Sequence, residues 1–176
     1  MSVVAGFPSH RVVAPNVYVE VLGVDFEDFA AGQVFEHRPG RTFAPGENLR
    51  HAARSLDQSA RHLDVTYRAR TDRSVPAIGE TFVLGVVTAL TTKTFGKVVA
   101  NLGWKDVRFR HPAEEGDTVY AESRILETRA SASRPTQGIV RVRTRAVNQR
   151  GDEVCTFERT LLVYRRGHGP YEEAGY

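Results

Sequence analysis

The chain has few of the features that mark secreted or membrane proteins. Its 176 residues include a single cysteine, Cys155, so no disulfide can form within the chain, and a lone thiol suits a reducing compartment. No apolar run approaches the roughly 20 residues needed to cross a membrane. Residues 1–8 lack a basic segment followed by a long apolar core, so a signal peptide is not expected. We therefore expect a cytoplasmic protein.

The sequence also lacks the patterns that accompany nucleic acids, phosphates and metals. Its net charge of +3 comes from scattered arginines, without a recognition-helix pattern or basic–aromatic alternation. There is no glycine-rich phosphate loop and no Gly-x-Ser-x-Gly elbow. The histidines and acids are spread too widely for a zinc signature. We expect no nucleic-acid partner, no metal and no cofactor.

The densest basic stretch lies on a predicted strand. Arg141, Arg143 and Arg145 alternate with uncharged residues, so they share one face of that strand. This face is either a solvated sheet surface or a basic surface for an anionic ligand such as a nucleotide-bearing cofactor. The sequence favours the solvated surface.

The length fits one domain with a substantial core. Residues 1–24 are predicted to be an N-terminal extension that contributes a strand at residues 17–21. Residues 25–166 are predicted to form the domain, and residues 167–176 a flexible tail.

The longest apolar element spans residues 81–92 and predicts a buried helix, because it is apolar almost all round. Strands with period-two alternation follow it, at residues 97–102, 106–110, 118–129, 139–148 and 154–165. This order predicts an α+β fold in which an antiparallel sheet wraps around the helix. One edge of such a sheet stays open, so we expect a homodimer or a larger even oligomer.

An acid and an imidazole lie between the predicted helices. A helix is predicted at residues 47–56, and its apolar face consists of Leu49, Ala52, Ala53 and Leu56. Asp57 and His62 follow in a predicted loop or short turn. The start of the later apolar helix offers backbone N–H groups that can hold a carbonyl oxygen. An acid, a base and an oxyanion site are what the addition or loss of water requires. The alternatives are that Asp57 only caps a turn and that His62 is an ordinary surface histidine.

The segment from Asp57 to Asp64 resembles the signature of the MaoC-like hydratases, a branch of the hot-dog fold that includes (R)-specific enoyl-CoA hydratases. The family pattern Asp-x-Asn-Pro-(Ile/Leu)-His-x-Asp is matched at Asp57, His62 and Asp64. Three further matches before the central helix are Tyr67, Thr71 and Pro76. Residues 100–104 and 107–109 are most similar to short single-domain members associated with mesaconyl-, itaconyl- or β-methylmalyl-type CoA thioesters.

The resemblance covers roughly residues 25–166 and implies a hot-dog hydro-lyase. Such an enzyme adds or removes water at the α,β double bond of an acyl-CoA thioester, with a branched or dicarboxylic acyl group as one option. The thioester is the substrate, and no cofactor is implied. Asp57 and His62 would be the catalytic residues. The predicted substrate contacts are the backbone N–H of Glu80, the residues Thr81 and Arg61, and Thr88 from a neighbouring subunit.

The chain departs from the family pattern at positions that bear on function. Ser59-Ala60 replaces Asn-Pro, and Arg61 replaces an apolar residue. Arg61 either extends into solvent or pairs with a second carboxylate on the substrate. Glu80 stands where the family often has Gly or Ser.

Two other functions remain open on the same fold, an acyl-CoA thioesterase and a non-catalytic acyl-CoA-binding module. Three remaining candidates for chemistry are expected to be structural, namely His51, His111 and Cys155.

Overall fold

The computed structural model of the chain describes residues 9–71, 77–171 and 173–174. The strands are β1 (His10–Ala14), β2 (Val17–Glu20), β3 (Val34–Thr42), β4 (Val98–Phe109), β5 (Thr118–Ala130), β6 (Gln137–Asn148) and β7 (Glu153–Tyr164). The helices are α1 (Glu47–Ser55), α2 (Ala60–Leu63), α3 (Val65–Arg70) and α4 (Glu80–Leu90), with a 3-10 turn at Phe26–Asp28. Pro76 and residues 1–8 lie outside the described residues.

Five strands form one antiparallel sheet in the order β3-β5-β6-β7-β4, and α4 packs on one face of it. This is the predicted α+β architecture. Strands β1 and β2 form a separate hairpin, which confirms the strand predicted at residues 17–21. No helix among the residues that the structure describes has the length and apolar character to cross a bilayer.

Helix α4 is buried on one side only. Its valines Val83, Val86 and Val87 pack into the core against the sheet, as the apolar pattern predicts. The predicted buried helix is confirmed, although Gly85 and Ala89 on its opposite face are exposed in the protomer. Hydropathy reports the total apolar content of a helix, and it cannot say whether the second face is covered by the same chain.

A belt of polar side chains divides the core into two apolar clusters. On β5, the buried Ser123 lies between Ala121 of one cluster and Ile125 of the other. Thr144 on β6 pairs with Ser123, and Arg159 on β7 lies between Phe157 of the first cluster and Leu161 of the second. The Ser123 and Thr144 hydroxyls are 2.9 Å apart, so this part of the belt is hydrogen-bonded.

Helix α1 has its predicted bounds to within one residue, but only Ala52 of its four predicted face residues is buried. Leu49 and Ala53 are exposed, Leu56 is 81% exposed, and the second buried residue of the helix is Asn48. The helix turns its Asn48 side toward the start of α4, where the amide makes hydrogen bonds that no apolar side chain could make.

Two further elements differ from the sequence expectation. The predicted strands at residues 97–102 and 106–110 form the single strand β4, whose register shifts near Asn101 and Lys105 while pairing with β7 continues. Asp106 has a positive φ of 51° there, which bends the strand without ending it. Part of the predicted loop at residues 57–62 belongs to the helical turn α2.

The alternating arginines of β6 face carboxylates on the outer surface of the sheet. The ion pairs are Arg141–Glu127, Arg143–Glu158 and Arg145–Glu122. Since these carboxylates already balance the guanidinium groups, the structure favours the solvated sheet surface.

Tyr171 of the C-terminal segment contacts the domain. The Tyr171 hydroxyl donates to the Gly96 carbonyl at 3.0 Å, and its ring lies edge-on to Tyr164. The flexibility of residues 167–176 stays a prediction.

Candidate active site

Asp57 and His62 meet where α1 ends and α2 begins. Helix α1 stops at Leu56, which takes a left-handed conformation, and the Asp57 amide donates back to the Ala52 carbonyl at 3.0 Å. The Asp57 carboxylate then makes two contacts: Oδ1 accepts from the Ser59 amide at 2.9 Å, and Oδ2 lies 2.6 Å from His62 Nδ1. His62 is 7% exposed, so it is not an ordinary surface histidine.

The surroundings of Asp57 fix the role of each nitrogen in the His62 ring. Hydrogen bonds from the Ser59 amide and from the imidazole lower the pKa of Asp57 below its usual range. An ionised carboxylate can only accept, so Nδ1 must carry the proton it donates. In a neutral imidazole the lone pair then lies on Nε2, which is the nitrogen left to act as a base.

Gly79 forms the wall beside the imidazole and is the N-cap of α4. A Cβ atom built on Gly79 would lie 3.3 Å from His62 Cε1 and 3.6 Å from Nδ1. The absence of a side chain therefore lets the ring lie against the start of the central helix. Sequence reasoning used the start of this helix but gave Gly79 no role of its own.

The start of α4 presents backbone donors next to the pair. The amides of Phe82 and Val83 donate to the Gly79 carbonyl, and the Gly79 amide donates to Asn48 Oδ1 at 2.8 Å. Helix geometry leaves the next two amides, of Glu80 and Thr81, without an intrahelical partner. Aligned peptide dipoles make this end of the helix favourable for a developing negative charge. The side chain of Glu80 is exposed.

Asn48 is a site residue that sequence reasoning missed. It is 1% exposed, and its Nδ2 donates to the Ala77 carbonyl at 3.2 Å while its Oδ1 accepts from Gly79. Helical periodicity gave no signal for it, because it predicts apolar residues on a buried face.

His51, expected to be structural, also lies at this end of α4. Its ring stacks on Phe82 with centroids 4.7 Å apart, and its Nε2 is 3.1 Å from Thr81 Oγ1.

The remaining predicted residues are more distant or exposed. Thr88 is about 12 Å along the helix from Glu80, and its hydroxyl donates to the Leu84 carbonyl. Arg61 is exposed on α2. The protomer thus brings Asp57, His62 and the start of α4 together, but does not place Thr88 with them.

Two other predictions concern metal and thiol chemistry. In the part of the chain that the structure describes, no group of three or more His, Cys, Asp or Glu side chains could hold a metal ion. Cys155 is buried, and burial raises the pKa of its thiol to about 12, as expected for a packing residue. Asp64, a match to the family pattern, caps α3 by accepting from the Thr66 and Tyr67 amides.

Comparisons with known proteins agree with the geometry. The family model for mesaconyl-CoA hydratase matches residues 16–174. The mesaconyl-CoA hydratase of Cereibacter sphaeroides is 32% identical over 152 residues, which cover 80% of this chain and 41% of that protein. The chain spans half or less of the length of the curated relatives that it matches.

Solved structures show the same fold. A MaoC domain dehydratase from Chloroflexus aurantiacus superposes with a TM-score of 0.77 at 25% identity, covering 84% of this chain and 42% of that chain. A Mycobacterium tuberculosis protein with a double hot-dog fold superposes with a TM-score of 0.70 at 25% identity, covering 84% and 46%. These structures confirm the predicted hot-dog fold. On the match to its family model, the chain belongs to the mesaconyl-CoA hydratase family.

Proposed function

We propose that the chain is a hydro-lyase unit that adds water to, or removes it from, the α,β double bond of an acyl-CoA thioester. The observation that carries this proposal is the hydrogen-bonded Asp57–His62 pair, with His62 buried, beside the start of α4. A base and a set of oxyanion donors are thereby close together on rigid elements. Membership of the mesaconyl-CoA hydratase family supports the same reaction.

In the hydration direction, the Nε2 atom of His62 removes a proton from water as the water oxygen bonds to the β-carbon. The electron pair of the double bond moves toward the thioester oxygen, which gains enolate character. The Glu80 N–H stabilises that oxygen, and one such donor typically contributes about 3 to 4 kcal/mol. The protonated imidazole then delivers its proton to the α-carbon. The Nδ1 proton stays on the imidazole throughout and is donated to the Asp57 carboxylate as a hydrogen bond. The negative charge of Asp57 stabilises the transient imidazolium.

We further propose that the acyl group is branched and dicarboxylic, as in mesaconyl-CoA. This rests on the curated relatives named mesaconyl-CoA hydratase, of which the chain matches less than half the length. Among the described residues near the pair, Arg61 is an exposed cation on α2 and is our candidate partner for the second carboxylate.

We propose that the functional unit is a homodimer or a larger even oligomer, with β4 pairing edge to edge. Strand β4 is one of the two edge strands of the five-stranded sheet, and its exposed apolar side chains are Leu102, Trp104, Val107 and Phe109. The exposed face of α4 also has room for a second copy, because a Cβ on Gly85 would meet nothing within 4 Å. The single buried cysteine fits a reducing compartment such as the cytoplasm.

The reaction can be tested with a panel of straight, branched and dicarboxylic enoyl-CoA thioesters. We expect the double-bond absorbance to fall without release of free CoA thiol, and mesaconyl-CoA to be the best substrate. Thiol release at the same rate would instead identify a thioesterase. Binding of the thioesters without any turnover would identify an acyl-CoA-binding module.

A further inference from the structure

We infer that Asn48 is a positioning residue that holds the oxyanion donors at the start of α4 in register with the Asp57–His62 pair. The inference rests on the proposed hydration. It adds a residue for which neither the sequence pattern nor the comparisons with relatives provide a role.

The side chain of Asn48 makes hydrogen bonds to the backbone just before α4. Its amide bonds the Ala77 carbonyl on one side of Ile78 and the Gly79 amide on the other. Ile78 itself is buried in the core, and its amide donates to the Ala113 carbonyl at 2.7 Å. The position of the helix start is therefore set by α1 and by the core together.

The same helix positions the catalytic pair. The Ala52 carbonyl, one turn after Asn48, accepts the hydrogen bond that turns the chain into Asp57. The two anchor residues are about 6 Å apart along α1. The base and the oxyanion donors are thus held by one rigid element, and Asn48 is the contact that holds the donors.

Asn48 also decides which amides remain available. Because its Oδ1 occupies the Gly79 N–H, the donors left at the helix start are those of Glu80 and Thr81. Without Asn48, the Gly79 N–H would compete for the oxyanion, and Gly79 could shift against the His62 ring that it nearly touches.

The orientation of the Asn48 amide follows from its partners, which allows a graded set of variants. A carbonyl can only accept and an N–H can only donate, so the oxygen must face Gly79 and the nitrogen Ala77. Asn48→Asp keeps the acceptor for Gly79 and loses the donor to Ala77. Asn48→Leu loses both contacts at similar volume.

The matched control is Asn148, which is buried to the same degree in the β6–β7 turn. Its amide accepts from the Arg150 and Asp152 amides and donates to the Asp152 carboxylate. Asn148→Leu should lower the unfolding midpoint and leave kcat per folded molecule unchanged.

The experiment measures kcat and KM on mesaconyl-CoA, the pH–rate profile and thermal unfolding for all three variants. We expect Asn48→Leu to lower kcat up to about a hundredfold with little change in KM, because small misplacements of reacting groups cost rate. Asn48→Asp should lower kcat less than Asn48→Leu does. The acid limb of its pH–rate profile should move to higher pH, because the new carboxylate favours a protonated imidazole.

The results separate the inference from the proposed function. An inactive wild type overturns the proposed function, and the inference with it. If the wild type is active and the kcat of Asn48→Leu is no lower than that of Asn148→Leu, only the inference is overturned. If Asn48→Leu does not fold, Asn48→Asp decides, and an unmoved pH–rate profile with full kcat overturns the inference.

Discussion

The Nδ1 atom of His62 lies 2.6 Å from the Oδ2 atom of Asp57, which joins the end of α1 to the turn of α2. The two side chains are in direct contact, so Asp57 sets the tautomer of the ring and leaves one nitrogen for the substrate. This relationship makes His62 the base in our account and Asp57 its orienting partner.

The oxyanion role of the Glu80 amide can be tested by deleting its N–H. Glu80→Pro removes only that donor, because proline is well tolerated at the first position of a helix. The preceding Gly79 already has φ −58° and ψ 137°, which suits a residue before proline. We expect kcat to fall about a hundred- to a thousandfold in steady-state assays, with the helix intact by circular dichroism.

The matched variant Glu80→Gln keeps the N–H and replaces the exposed carboxylate with a neutral amide. Its kcat should equal or exceed that of the wild type. Equal activity of Glu80→Pro and Glu80→Gln would remove this amide from the mechanism.

Arg61 is the test of substrate choice. Its exposed guanidinium can reach solvent or pair with the second carboxylate of a dicarboxylic acyl group. If it pairs with the carboxylate, Arg61→Leu should raise KM about tenfold or more for mesaconyl-CoA and leave a monocarboxylic enoyl-CoA unaffected. An equal effect on both substrates, or none on either, shows that Arg61 does not select the acyl group.

His37, which contacts Ser123 of the polar belt, predicts how stability depends on pH. Burial, followed by the nearby cations Arg159 and Arg38, lowers the pKa of His37 from its ordinary 6.5 to about 4. Between these values the unfolded chain binds a proton that the native protein does not. This contribution to stability is therefore present above pH 6.5 and is lost as the pH falls through 4. It amounts to about 3 kcal/mol.

Urea unfolding at several pH values should show this loss in the wild type. His37→Gln cannot titrate but can still bond the hydroxyl of Ser123, which is 2.9 Å from His37 Nε2. Its stability should change much less between pH 6.5 and 4. Parallel pH curves for the two proteins would contradict the assignment.

Gly85 tests whether the outer face of α4 is covered by a second copy. Gly85→Arg puts a long cation where the protomer leaves open space, so the protomer fold should tolerate it. We expect sedimentation at micromolar concentration to show an even oligomer for the wild type and a monomer for the variant. A monomeric wild type, or a variant with the wild-type assembly, would count against the proposed interface.

Periodicity predicted the parts of the fold that are repeated over many residues. The alternation in β5, β6 and β7 and the apolar run of α4 extend over enough residues to define their own burial. The bend at Asp106 depends on a single residue with positive φ, which no pattern reveals. A strand that bends in this way therefore looks like two strands in the sequence.

The candidate site could be predicted only where a motif marks it. Asp57 and His62 are close in sequence, so their spacing and the family pattern identified them. Asn48 and Gly79 act through one hydrogen bond between a helix and a distant helix start, and a sequence does not show which backbone group an asparagine will meet. The apolar face expected at Leu49 and Leu56 failed for the same reason, because the polar contact set the orientation of α1.

The most direct test measures which atom of the substrate receives the oxygen of water, and whether this transfer depends on His62. Mesaconyl-CoA incubated in water labelled with heavy oxygen should take up the label on the β-carbon with the thioester intact. Asp57→Asn and His62→Gln should slow this uptake about a hundred- to ten-thousandfold. The control Asp64→Ala removes only the cap of α3 and should keep the wild-type rate per folded molecule. Label found in a released carboxylate, or full uptake by His62→Gln, would contradict hydration by the Asp57–His62 pair.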